Sequence, residues 1–429
     1  MKNSLSLLAA CAAFSLHAAA PSIPANSVTM TQAKSCRQVV ITYDLQNAPA
    51  IVTVDILTNG VTIGAANLTH FAGDVHRVVQ PGTGKRMTWR PDKAWPDHEI
   101  TDQSVTAKVT AWALNAPPDY MVVDLVANDT IDFYADKDNI PGSVSNDLYK
   151  TGKMVFRKCP AANVKWRMGA PTTEPGWSAK STAHYVSLTN DFYIGIYELT
   201  QRQFERITGS TSPAYFSNPA YSMTRPVENT TYMRMRSVNN EAEYQWPSKG
   251  HAVHPDSVMG KLRAKVKNRL VFDLPTDAQW EFACRAGTGT GLYTTNEVES
   301  TCLTSKSANV GRIARYKYNS GFTGTEPPAD STTDYGTATV GSYQPNAWGI
   351  YDMCGNVWEY CLDYWQKDLT GVDPETGTTV PGTDHVRRGG AYNADSQLCR
   401  SAYRIEYGGV VSRDSSSGFR VAAVAELAE

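Results

Sequence analysis

The chain has 429 residues, 42 acidic against 40 basic, and a formal net charge of −2. That balance leaves no electrostatic footprint for nucleic acid, and the length suggests two or perhaps three domains with ample material for a core. Ten Trp and 22 Tyr, with few long apolar runs, point to a rigid aromatic-packed globule rather than a helical bundle.

Residues 1–20, MKNSLSLLAACAAFSLHAAA, read as a secretory signal: one Lys, an apolar run, then small residues. Cleavage is expected near Ala19 or Ala20, with export to the periplasm, the cell surface or the medium. Leu8-Ala9-Ala10-Cys11 also fits a bacterial lipobox, which would leave a lipoprotein anchored at Cys11. The apolar run is very short before Cys11 and continues after it, which favours plain secretion. No later segment reaches the roughly 18 apolar residues that span a membrane. Loss of the leader leaves Cys36, Cys159, Cys284, Cys302, Cys354, Cys361 and Cys399. An oxidising compartment permits disulfides, but the count is odd and connectivity is not readable from spacing. No CxxC pair supports a zinc ribbon.

Residues 21–116 have a different texture, and VTAKVTAW at 105–112 alternates over much of its length as a half-buried strand does. Strand-like runs fall at 38–45, 51–57, 76–79, 86–90 and 104–112, with turn signals Thr58-Asn59-Gly60, Pro81-Gly82-Thr83-Gly84 and Pro91-Asp92 between them. Short strands at this spacing predict an all-β immunoglobulin- or fibronectin-like sandwich, acting as a spacer or docking module. Ala116-Pro117-Pro118 is the expected linker, since paired prolines stop regular structure and stiffen the chain. A second domain, 119–429, is expected to open with strands at 120–125 and 153–159. Thr200-Gln201-Arg202-Gln203 and Thr276-Asp277-Ala278-Gln279 are capping boxes that start two short helices. Gly209 and Gly287 are their expected stops, and Glu281 is expected to pack or to form a salt bridge. His251-Ala252-Val253-His254 is the one close histidine pair; beside Pro255 it reads as solvated loop. Residues 288–343 and 366–386 are rich in Gly, Thr, Ser, Asp and Pro and read as long loops.

Pro345 to Cys361, PNAWGIYDMCGNVWEYC, sets four aromatic side chains around a turn of Gly349, Gly355 and Asn356. Gly and Asn enter left-handed backbone conformations at least cost. The carboxylates of Asp352 and Glu359 flank the carbonyls of Gly355 and Val357, hard oxygen donors of the kind calcium takes. Turn capping or pairing with arginines is the alternative role for both acids.

GNVWEY after NAWGIYDM resembles the signature loop of the formylglycine-generating enzyme and sulfatase-modifying factor family. Further pieces follow in the family's order: RMG at 167–169, HYVSL at 184–188, FYIGIYELT at 192–200, RPV at 225–227 and LPTDAQWEFACRAG at 274–287. RRGGAY at 387–392, CRSAYR at 399–404 and GFR at 418–420 complete the series. The resemblance covers residues 150–425 and implies an α+β C-type-lectin-like fold poor in regular secondary structure. It also places Asp352, Gly355, Val357 and Glu359 on a calcium site. A second calcium site of the family would start at Asn309, but Ser320 stands where its other carboxylate should be.

The oxidase members of the family hold copper between two cysteines five residues apart, beside a serine that supports oxygen binding. Cys399 matches the second cysteine; Ala394 and Ala391 stand at the first cysteine and the serine. Alanine neither ligates copper nor donates a hydrogen bond, and soft Cu(I) wants two sulfurs, so copper is not expected. Cys399 reads instead as a framework cysteine, buried or bridged to Cys361. An iron-dependent branch of the family needs a helical histidine-bearing domain, which the strand-rich N-terminal part does not offer.

A non-catalytic binding role is therefore the leading expectation. Tyr392, Asn393, Asp395, Tyr403, Tyr407 and Ser412 lie in the C-terminal loops, in the Tyr, Ser and Asn alphabet that binding loops favour. The expected partner is a protein or a carbohydrate. Two alternatives stay open: an oxidase acting on sulfatase cysteines, and a variable ligand-binding protein of a diversity-generating retroelement, whose C-terminal pattern is similar.

Overall fold

A computed structural model describes residues 19–32, 36–98, 100, 104–239, 252–324, 327–369 and 384–424. Most of the leader, Cys11 and His251 lie outside these residues.

The alternation of the first hundred residues becomes two four-stranded sheets. Their strands are β1 (Thr29–Gln32), β2 (Val39–Leu45), β3 (Ala50–Thr58), β4 (Val61–Thr62), β5 (Phe71–Gly73), β6 (Val78–Val79), β7 (Gly82–Trp89) and β8 (Val105–Trp112). One sheet runs β1-β2-β7-β5. The other sets β8 along one edge of β3 through eight residue pairs, with β4 and β6 on the opposite edge. Val39, Ile41 and Tyr43 of the first sheet share an apolar cluster with Val52, Val54 and Ile56 of the second. Burial of each such aliphatic side chain contributes about 1.5–3 kcal/mol. The expected strands are all present, and the sequence pattern missed only β1, β4 and β5, which are too short to alternate.

The Ala116-Pro117-Pro118 junction is packed, not free. Both prolines are buried. The Tyr193 hydroxyl donates to the Pro118 carbonyl at 2.5 Å and the Lys158 ammonium to that of Pro117 at 2.6 Å. Across the junction the Phe133 amide donates to the His76 carbonyl at 2.7 Å, the Asn139 side chain donates to the Ala65 carbonyl at 3.1 Å, and Ile51 enters the next core.

Beyond it lie β9 (Tyr120–Asp124), β10 (Ile131–Tyr134), β11 (Lys153–Cys159), β12 (Val164–Met168), β13 (His184–Leu188), β14 (Phe192–Gly195), β15 (Phe272–Asp273), β16 (Trp358–Tyr364), β17 (Asp384–Arg388), β18 (Arg404–Gly408), β19 (Ser417–Gly418) and β20 (Ala422–Val424). They form a six-stranded sheet β10-β9-β11-β14-β20-β15, a β12-β13 hairpin and a sheet β18-β17-β16-β19. Between them run α1 (Gln201–Thr208), α2 (Val258–Lys265) and α3 (Asp277–Arg285). Both expected capping boxes close: the Thr200 and Thr276 hydroxyls each accept from the backbone three residues on, and the Gln203 and Gln279 amides reach back. α1 stops at Gly209 in the left-handed region, whereas α3 stops one residue earlier than expected, at Ala286 with φ 45°. Among the described residues no helix is long and apolar enough to cross a membrane.

Candidate functional site

The loop before β16 owes its shape to left-handed residues: Asp352 at φ 57°, Gly355 at 83° and Asn356 at 62°. A Cβ at Gly355 would stand 2.3 Å from the Arg315 carbonyl oxygen, so only glycine passes there. Asn356 pins the turn. Its side chain accepts from the Ala338 amide at 2.8 Å and donates to Glu198 at 2.6 Å. The Val357 amide donates to the other Glu198 oxygen at 3.1 Å. Glu359 receives Arg420 on both oxygens at 2.6 Å, plus the Trp280 indole N–H at 2.7 Å. Asp352 accepts from the Gly341 amide at 2.6 Å.

Glu198, Asp352 and Glu359 are all buried, and Arg420 pairs with Glu359. Burial, reinforced by the other two acids, pushes the Glu198 carboxyl well above the usual range. Burial likewise lifts Asp352 to about 6. Glu198 and Asp352 thus have no ion-pair partner of their own among the described residues, whereas Glu359 is answered by Arg420. Among the described residues no three Asp, Glu, His or Cys side chains alone make a metal group. A calcium set would therefore draw on the Gly355 and Val357 carbonyls besides Asp352 and Glu359. The sequence did not single out Glu198; an acid inside the buried run Phe192–Leu199 was the signal to follow. Asn309 donates to the Glu297 carbonyl and Ser320 to that of Tyr392.

Cys399 lies beneath Gly390, where a Cβ would come within 2.7 Å of its sulfur. Ala391, Ala394 and Cys399 are 0%, 4% and 0% exposed and share one apolar cluster. Burial, then the Asp395 charge, pushes the Cys399 thiol up to about 12. A thiol so placed is scarcely ionised at neutral pH. The expected bridge to Cys361 is not formed: all seven described cysteines are free. Cys399 donates weakly to the Asp395 carbonyl, while Cys361 sits within β16 near Asp277 and Arg388. The Cys354 thiol instead shares a hydrogen bond with Cys284.

The six expected binding residues divide. Arg387 stacks 3.5 Å over the Tyr407 ring and 5.6 Å from Trp358, which packs against Tyr403 at 6.0 Å. Arg387 also pairs with Asp414 at 3.0 Å. Tyr360 joins Tyr407 at 6.2 Å and donates to the Ser412 carbonyl. Tyr403, Tyr407 and Ser412 thus share one half-buried aromatic face. Tyr392 differs from expectation. It is buried edge-on against Phe216, with its hydroxyl 2.9 Å from that of Ser415. Asp395 is held by the Lys317 ammonium and the Tyr318 hydroxyl, away from that face. Asn393 is half-buried beside it. Arg387 and Trp358 were missed because their role comes from the strands β16 and β17, and Asp414 because it reaches Arg387 from the loop before β19. His254 accepts from the Asp256 amide in a local turn.

On the other side of β18 runs a buried ion network. Asp277 takes Arg388 and Arg404 on separate oxygens, while Glu281 takes Arg285 at 2.8 Å, Arg388 at 3.0 Å and the Gly169 amide at 2.8 Å. Glu281 is thus a salt-bridge partner, as expected.

The family described as sulfatase-modifying factor enzyme 1-like domain matches residues 162–425. The formylglycine-generating enzyme of Thermomonospora curvata is 35% identical over 162 residues, 35% of this chain and 48% of that relative. The formylglycine-generating enzyme of Bos taurus is 26% identical over 316 residues, 68% of this chain and 80% of the relative. The chain therefore spans about half of the first relative's length. Of solved structures, Treponema denticola variable protein 1 aligns with a TM-score of 0.46 at 21% identity, over 63% of this chain and 95% of that one. PvdO from Pseudomonas aeruginosa aligns with a TM-score of 0.46 at 21% identity, over 66% and 98%.

Proposed function

Because the chain belongs to the sulfatase-modifying factor enzyme 1-like family, we propose that it is an exported, non-catalytic member that binds a protein or carbohydrate ligand on a lectin-like domain. One observation carries this reading: a single buried thiol, Cys399, stands among Ala391 and Ala394 where the oxidases need two sulfurs and a hydroxyl. The rival reading, an oxidase acting on sulfatase cysteines, draws on relatives that bear the name formylglycine-generating enzyme. The N-terminal sheets, read as an immunoglobulin-like module, position the binding domain.

The binding surface is the Tyr403–Tyr407 face. Large, stiff aromatic rings with an arginine held between them are the residues that dominate interfaces. Screened on arrays of glycans and of proteins, the mature chain should retain a ligand. Tyr407→Ala and Tyr403→Ala should weaken that binding roughly thirtyfold, as loss of about 2 kcal/mol at a hot spot does. Undiminished binding by both variants would remove this face from the proposal.

Calcium belongs to the same proposal, held by Asp352, Glu359 and the carbonyls of Gly355 and Val357, where it would answer the Asp352 carboxylate, which has no ion-pair partner among the described residues, and share Glu359 with Arg420. An ion bound only by the folded state stabilises it, by about 2.7 kcal/mol at a hundredfold excess over Kd. Added calcium should raise the melting temperature of the parent protein and leave Asp352→Ala unmoved. A parent protein indifferent to both calcium and chelator would exclude the ion.

A further inference from the structure

We propose a second binding site, for a neutral sugar, in the cleft between the outer face of the β3–β8 pair and the turn at Asp136–Asn139 that follows β10. The cleft holds about 360 Å³, within the roughly 300–1,000 Å³ of small-molecule pockets. Strand alternation sets its floor. Val52, Val54 and Ile56 belong to the sandwich core, so Thr53 and Asp55 point the other way. Thr110 and Lys108 stand directly opposite them on β8, with Trp112 two residues further along.

The cleft is held in shape from both sides. The Trp112 indole donates to the Thr53 hydroxyl at 2.8 Å and packs on the core of the second domain, yet the side chain is only half-buried and lines the cleft. From the second domain, the Asn139 side chain donates to the Ala65 carbonyl at 3.1 Å, and both residues line the same space. Walls tied together in this way lose little freedom when a ligand arrives.

Asp55 and Lys108 define the ligand. Opposite charges at directly facing strand positions stabilise a sheet by pairing, but these two form no ion pair with each other or with any other described residue. Asp55 accepts from the Thr62 hydroxyl on Oδ1 at 2.7 Å, and among the described residues its Oδ2 takes no hydrogen bond. Asp136 adds an exposed carboxylate from the second domain. Carboxylate, ammonium and hydroxyl groups beside one indole suit a ligand that donates and accepts hydrogen bonds around its rim and offers an apolar face. A pyranose is built that way: each hydroxyl can donate to an acid and accept from an ammonium, and its C–H face can cover an aromatic surface. An anion would meet the repulsion of Asp55 and Asp136. A small free amino acid, with one ammonium and one carboxylate, would leave most of these side chains unanswered.

Saturation-transfer NMR of the mature chain with the methyl glycosides of glucose, galactose, mannose and N-acetylglucosamine tests this. Saturable binding of at least one is expected. Asp55→Ala and Lys108→Ala, both outside the sandwich core, should each weaken it at least tenfold. Thr110→Trp, which fills the cleft from an outward-facing strand position, should abolish it. No binding by any of the four up to about 20 mM, well beyond a millimolar Kd, would overturn the proposal. So would indifference to all three variants, or tighter binding of serine or inorganic phosphate. A sugar lost from Tyr407→Ala but kept by Thr110→Trp would sit on the aromatic face instead, and would overturn the cleft while sparing that face.

Discussion

Asp277→Ala is expected to be among the most damaging single substitutions in this chain, with a loss of roughly 3–5 kcal/mol. The carboxylate is 2% exposed and answers two guanidiniums, those of Arg388 and Arg404, on its separate oxygens. Those arginines are 0% and 2% exposed, so neither can turn to water when the acid is gone. Leaving buried Arg404 without its carboxylate, and buried Arg388 with Glu281 alone, is far costlier than losing an exposed pair such as Lys137–Asp138, which contributes about 0–1 kcal/mol. Burial alone would raise the Asp277 carboxyl, but the two guanidiniums hold it below its ordinary value. A lowered carboxyl stabilises the fold fully above the unfolded value of about 3.9, and that contribution disappears as pH falls through the folded value. Urea unfolding at neutral pH is the measurement, with Asp138→Ala as the surface control. A midpoint for Asp277→Ala no lower than the control's would mean the network is not structural.

What the sequence made legible was local. The capping boxes at Thr200 and Thr276 lie within four residues, and the strands at Val39–Leu45 and Val105–Trp112 announce themselves by alternation or apolar content. The turn at Gly355 and Asn356 was visible because few other residues take that conformation. What stayed hidden was carried by distant partners. Glu359 meets Arg420 across 61 residues, Asp277 meets Arg404 across 127, and Glu198 meets Asn356 across 158. No period or spacing encodes such pairs. The same limit explains Tyr392, a plausible surface residue by composition that Phe216 covers, and the Cys361–Cys399 bridge, which needed positions that only the tertiary fold assigns. At the candidate site, residue types were readable and facing directions were not. Tyr403 and Tyr407 were chosen from composition, whereas Arg404 between them, pointing to the opposite face, needed the strand.

The decisive measurement is conversion of a sulfatase-type Cys-x-Pro-x-Arg peptide, followed by aldehyde capture and mass analysis, with copper supplied. Resemblance to the family's oxidases implies two thiolates, and here position 394 is alanine while Cys399 is buried, with its thiol pushed up to about 12. One sulfur makes a poor site for Cu(I), which prefers paired soft ligands. Restoring the chemistry should need at least Ala394→Cys together with Ala391→Ser. The unmodified chain is expected to give no detectable aldehyde. Turnover by the unmodified chain, abolished by Cys399→Ala, would contradict the binding role and establish an oxidase.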